Sequence, residues 1–129
     1  MIGLGADHGG YKLKEEIKKY LDEKGLEYID YGTCNEERTD YPIYAKKVCK
    51  AVQENECDKG ILVCGTGFGM NICANKFKGI RASSCWNEEV AKLFKFWLPV
   101  YDFKKVIFAI PKGNGNFEKF VKVWKPEEK

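Results

Sequence analysis

The chain has 129 residues, 44% of them hydrophobic and 32% charged, with a net charge of +3. That length and mix suit one globular domain with a core of its own, and so small a charge, with Lys and Glu alternating, argues against a nucleic-acid partner. A single histidine, His8, excludes a zinc site built from several imidazoles, and no apolar run reaches the ~20 residues of a membrane span.

The six cysteines (Cys34, Cys49, Cys57, Cys64, Cys73 and Cys85) form no C-x-x-C pair, and no signal-peptide pattern opens the chain. They read as reduced thiols of a cytoplasmic protein. Residues 1–6 are predicted to form a short apolar strand ending in Asp7-His8-Gly9-Gly10. Leu13, Ile17, Tyr20 and Leu21 then recur at helical spacing over 11–24, with Lys and Glu between them, and Gly25 closes the helix. Asp7 is either a cap for that helix or a site residue, since it and His8 stand where the first strand ends. A second strand is expected over 26–31, then Gly32 and a polar loop through Asp40. Tyr41-Pro42 opens the next helix, with Pro in the first turn where its missing N–H costs nothing. The Tyr41 hydroxyl either reaches the same sheet edge or packs on the helix start.

The most informative stretch follows. Ile61, Leu62 and Val63 form an apolar run of the kind found in strands buried on both faces. Cys64 ends it, and Gly65, Thr66, Gly67, Phe68 and Gly69 follow at once, before a helix expected over 70–76. Alternating glycines permit φ > 0 and close approach of a ligand to the backbone. Orphan N–H groups and the positive helix end make such a junction an anion site that favours a thiolate. A tight turn with a buried thiol is the alternative. A fourth strand is expected over 80–84, a helix over 88–96 and a fifth strand over 106–110. Strands alternating with helices imply an α/β fold: a single doubly wound, Rossmann-like parallel sheet of about five strands, with helices on both faces. Ligands bind outside the carboxyl ends of such strands, where Asp7, His8 and the Cys64 loop converge. A nucleotide-binding domain fits poorly. The glycines make G-x-G-x-G after the third strand, where dinucleotide binding needs G-x-G-x-x-G after the first, and no G-K-[ST] occurs.

Several spaced segments carry a family resemblance: Asp7-His8-Gly9-Gly10-Tyr11, Asp40-Tyr41-Pro42, Cys64-Gly65-Thr66-Gly67-Phe68-Gly69-Met70, Ala74-Asn75-Lys76 and Lys78-Gly79-Ile80-Arg81-Ala82. Together they resemble the ribose-5-phosphate isomerase B family, which includes the galactose-6-phosphate isomerase subunits. The resemblance implies one sugar-phosphate isomerase domain over 1–129, interconverting an aldose and a ketose phosphate, most directly ribose 5-phosphate and ribulose 5-phosphate of the pentose phosphate pathway. It implies no metal and no cofactor. The family's base is a cysteine at this loop position or a carboxylate where this chain has Met70, so Cys64 takes the role. Thr66 and the loop N–H groups suit the enediolate oxygen. Substrate contacts are implied for Asp7, His8, Tyr41, Gly65, Gly67, Phe68, Gly69 and Asn75, and a homodimer because family sites lie at a subunit boundary.

The resemblance stops after Leu93, and residues 94–129 diverge. The family's His-Asn-Asp stretch and late arginines are missing; Trp97 stands near where the histidine is expected, and arginine occurs only at Arg38 and Arg81. Lys112, Lys119 and Lys122 are the candidate replacements for phosphate binding. So abrupt a break fits either a shifted reading frame or a diverged paralogue. Reduced activity, or a non-catalytic sugar-phosphate-binding or partner subunit of a galactose-6-phosphate isomerase, is the alternative it implies.

Overall fold

In a computed structural model the structure describes residues 1–65, 68–85, 88–97 and 105–111. The elements alternate as expected: β1 (Ile2–Ala6), α1 (Tyr11–Glu23), β2 (Tyr28–Asp30), α2 (Tyr41–Gln53), β3 (Lys59–Cys64), α3 (Phe68–Asn75), β4 (Ile80–Ser84), α4 (Glu88–Trp97) and β5 (Lys105–Pro111). All pairings are parallel, in the order β2-β1-β3-β5-β4. The second strand is shorter than its apolar pattern suggested, because β2 is an edge strand paired only through Tyr28, Ile29 and Asp30.

Handedness decides which face each helix covers. Right-handed crossovers place helices on one face when the chain steps one way across the sheet, and on the other when it steps back. The β1→β2 and β4→β5 steps run in one direction, and α1 and α4 share a face. Leu13, Ile17 and Leu21 of α1 and Ala91 of α4 pack there with Leu4, Ile61, Val63, Phe108 and Ile110. The opposite steps carry α2 and α3, whose Val48, Val52, Met70 and Ala74 pack with Leu62, Cys64, Ile107 and Ala109. With both faces covered, β1, β3 and β5 read as continuous apolar runs.

One consequence positions the site. The chain leaves β1 toward α1's face and leaves the neighbouring strand β3 toward α3's face. Loops diverge from adjacent strands there and open a crevice at the carboxyl edge, the switch point where doubly wound sheets bind ligands. Among the described residues no helix is long and apolar enough to cross a membrane.

Candidate active site

The β1–α1 turn lies directly on the end of β3. The Asp7 N–H donates to the Val63 carbonyl at 3.3 Å, and an Asp7 carboxylate oxygen accepts from Gly10 N–H at 3.0 Å. A Cβ at Gly10 would stand 2.4 Å from the Val63 oxygen, far inside contact distance, so only glycine lets the turn sit this close. Asp7 therefore holds the turn into α1 and stands beside β3 at the same time. Asp7 does not cap the helix as the first reading expected, because the N-cap is Gly10 and has no side-chain hydrogen bond; Asp7 instead braces the turn ahead of it.

His8 is exposed and tied to the β2–α2 loop. Its Nδ1 lies 3.0 Å from the Thr39 carbonyl oxygen and 3.1 Å from Thr39 N. Either tautomer leaves Nδ1 engaged, and Nε2 makes no hydrogen bond to a described residue. The ring is thus fixed at one nitrogen and available at the other.

Cys64 closes β3 with 4% exposure, on the α2–α3 face beside Met70 and Leu62, and pairs in register with Pro111 of β5. None of the six cysteines is in a disulfide. Burial pushes the Cys49 and Cys85 thiols up to about 12 and raises that of Cys57, while Cys34 is exposed and Cys73 half-buried. Gly65 is exposed, and a Cβ there would meet nothing within 4 Å. Its φ is not positive, so the left-handed backbone anticipated for the glycine loop is absent at this position; Gly65 instead leaves open space over the chain. Helix α3 starts two residues earlier than its pattern suggested, which puts Gly69, half-buried, in the first turn. Thr66 and Gly67 lie outside the described residues, as do the side chains of Tyr41 and Phe68, the first residues of α2 and α3.

Asn75 serves elsewhere. Seven residues along α3 from Phe68, about 10 Å down the axis, its Nδ2 donates to the Ala82 carbonyl at 2.9 Å and its Oδ1 accepts from Ala82 N–H at 2.9 Å. Strand β4 ends the sheet, so Ala82 has no strand partner on its outer side, and the carboxamide supplies one. Asn75 thus extends the edge of the sheet through its carboxamide. Lys112, Lys119 and Lys122 lie outside the described residues. Among the described residues no cluster of three or more His, Cys, Asp or Glu side chains forms a metal site.

The sequence reading passed over the loop beyond β2. Its residues and the first turns of α2 line a pocket of about 380 Å³ at the carboxyl end of β2, with Thr33, Arg38, Thr39, Tyr44 and Lys47 in its wall. The hydroxyls of Thr33 and Thr39 hold the Tyr44 phenol below its ordinary range. The loop is anchored from beneath by an ion network. Lys14, 1% exposed, reaches both Asp30 oxygens at 2.7 and 2.6 Å; Lys18 adds a contact at 2.9 Å, and Gly32 N–H donates to Asp30 at 2.8 Å. Burial alone would raise the Asp30 carboxyl, but the donors from Lys14, Lys18 and Gly32 outweigh it and hold it below the usual range. A helical lysine gives no sign in sequence of being buried against a residue sixteen positions away.

A family model described as Ribose/Galactose Isomerase matches residues 2–97. Ribose-5-phosphate isomerase B of Escherichia coli K12 is 54% identical over 92 residues, covering 71% of this chain and 62% of that protein. A galactose-6-phosphate isomerase subunit of Clostridium acetobutylicum is 41% identical over 98 residues, covering 76% and 57%. The chain thus spans less than two thirds of the length of these relatives. The solved structure of Clostridium thermocellum ribose-5-phosphate isomerase B superposes with a TM-score of 0.87 at 42% identity, covering 98% of this chain and 84% of that one. The family model spans most of the chain, and these relatives share its sequence and fold: this chain belongs to the ribose/galactose isomerase family.

Proposed function

We propose that the chain interconverts an aldose phosphate and its ketose, most directly ribose 5-phosphate and ribulose 5-phosphate, with Cys64 as the base. The observation that supports this is the end of β3, where the carbonyl of Val63, the residue before Cys64, accepts the Asp7 N–H and so brings the β1–α1 turn onto the same strand end. Asp7 and the available nitrogen of His8 suit the first task, opening the sugar ring by moving a proton from the anomeric hydroxyl to the ring oxygen. The Cys64 thiolate then removes the proton from C2 of the open aldose. The C–H electron pair becomes the C1=C2 bond, and the carbonyl π pair moves onto O1 as an enediolate. N–H groups of the 65–69 loop, with Thr66, stabilise that charge. Return of the proton to C1, with transfer of the O2 proton to O1, completes the ketose. The remaining contacts proposed for Tyr41, Gly67, Phe68 and Gly69 belong to binding.

Turnover of ribose 5-phosphate in deuterated water tests this. Deuterium should enter the product at C1, and both turnover and exchange should fall in Cys64→Ala. Unchanged turnover in that variant overturns the assignment of the base. A homodimer goes with the reading, supported by Ile43 and Ile72, apolar and 49% and 61% exposed on the neighbouring helices α2 and α3. A monomer in light scattering at micromolar concentration contradicts it. The missing His-Asn-Asp stretch beyond Leu93 favours a second reading, a sugar-phosphate-binding partner subunit. Binding of galactose 6-phosphate or ribose 5-phosphate without exchange would select it.

A further inference from the structure

His8 is gripped by a loop that has little packing of its own. Residues 34–38, between β2 and α2, are all exposed. Lys12 meets Glu36 at 3.8 Å between two exposed side chains, a pairing worth little in water. Thr39 faces His8 Nδ1 with its N–H at 3.1 Å and its carbonyl oxygen at 3.0 Å, and its position needs a firmer support than that. Its hydroxyl finds one in the Tyr44 phenol, at 3.3 Å.

Tyr44 is well seated. Its ring lies on Gly32, where an added Cβ would stand 2.7 Å from the ring atom Cε1, and the Lys47 ammonium is 5.5 Å from the ring centre. The Thr33 hydroxyl also hydrogen-bonds to the phenol. Thr33 is buried, and its N–H donates to the carbonyl of Ala6, the last residue of β1, at 2.9 Å. One phenol oxygen thus closes the loop at both ends. It ties Thr39 back to the strand end from which Asp7 and His8 emerge.

Thr39 presents a donor and an acceptor to the same ring nitrogen. Nδ1 either accepts from the N–H or, when protonated, donates to the carbonyl, so the imidazole keeps its anchor in both states. Nε2 can then take up a proton and give it back without the ring turning. Opening a furanose asks for that. The O1 proton passes to Nε2 and the O–H electron pair becomes the C1=O1 π bond; the C1–O4 bond breaks, and O4 takes the proton from Nε2. Both oxygens sit on C1, so one nitrogen held still serves both.

Resting on the isomerase reading above, we propose that Tyr44 is a positioning residue for ring opening: its phenol fixes Thr39, and Thr39 fixes His8 against the sugar. Tyr44 acts on the imidazole only through Thr39. Its loss should slow ring opening and leave substrate binding and the proton transfer at Cys64 as they are.

The test compares the full chain with Tyr44→Phe, Thr39→Val and the double variant, which remove hydroxyls and keep the ring and the backbone. The kcat on ribose 5-phosphate should fall roughly 3- to 10-fold in each single variant, the worth of one hydrogen bond, with KM unchanged. The double variant should be no slower than Tyr44→Phe, because both changes cut the same contact. Exchange of the C1 proton of ribulose 5-phosphate with deuterated water starts from an open chain and should match the parent throughout. His8 is the only histidine, so nitrogen-15 NMR reads its two ring nitrogens without assignment, and their shifts should move in both single variants. If they move while not even the parent turns over sugar, the clamp on His8 stands and the isomerase reading falls. Parent-like nitrogen shifts in both variants overturn the clamp. With an active parent, an unchanged kcat in both, or an exchange rate that falls as far as kcat, overturns its part in ring opening.

Discussion

Strands β3 and β5 meet at Cys64 and Pro111, yet they differ in what they demand of their residues. Strand β3 ends inside the region that matches the family model, whereas β5 lies wholly beyond it. In the fold they are equals. Strand β5 pairs with β3 on one side and β4 on the other, and Val106, Ile107, Phe108, Ala109 and Ile110 are all buried. A central parallel strand needs an extended apolar run with both faces covered, and many sequences satisfy that. The carboxyl end of β3, where Cys64 is the proposed base, asks for one side chain's chemistry at one position, and far fewer sequences supply that. The sheet can therefore be complete where the match to the family model has already ended.

Replacing each side of that pair should give opposite results. Cys64→Ala should lower turnover by about 10²–10⁴-fold, the usual worth of a positioned acid–base group, with only a small change in unfolding free energy. An inactive but well-folded variant by circular dichroism confirms the division. Phe108→Ala should do the reverse. Phe108 is buried and makes an edge-on contact with Phe94, ring centres 5.5 Å apart. Its truncation should cost about 3–5 kcal/mol in urea unfolding, while molecules that remain folded keep their KM. A Phe108→Ala protein with native stability would show that β5 is not the structural element described here.

The anchor beneath the β2–α2 loop should give a somewhat smaller effect, and one that depends on pH. Asp30→Asn removes the partner of a buried ammonium, which should cost roughly 3 kcal/mol near neutral pH. The Asp30 carboxyl is held below its ordinary range in the folded chain. Its contribution is therefore present above the unfolded value of about 4 and is lost as pH falls through the lower folded value. Acid should narrow the gap between parent and variant; a gap that is constant down to pH 2 would contradict the network. The smallest effect is one of selectivity. With iodoacetamide at neutral pH, Cys34 should label early through its exposure, and Cys64 should follow as the proposed base. Cys49, Cys57 and Cys85, their thiols raised by burial, should label last. Mass mapping that found Cys85 modified before Cys64 would place Cys64 among the structural thiols.

The amino-acid order alone determined the alternation of strands and helices, because hydrophobic period is a local property that survives without knowing what an element packs on. The strand order, with β5 inserted between β3 and β4, is decided by crossover direction and mutual burial, and no local pattern encodes it. The same division runs through the site. The placing of Asp7, His8 and Cys64 at strand ends was legible, because the apolar runs that precede them mark where β1 and β3 stop. The conversion of Asn75 into an edge partner for Ala82, the burial of Lys14 on Asp30 and the gathering of Arg38, Tyr44 and Lys47 around one pocket were not. Each depends on which hydrogen-bonding or charged groups lose water when the elements close on one another, and only the folded chain settles that.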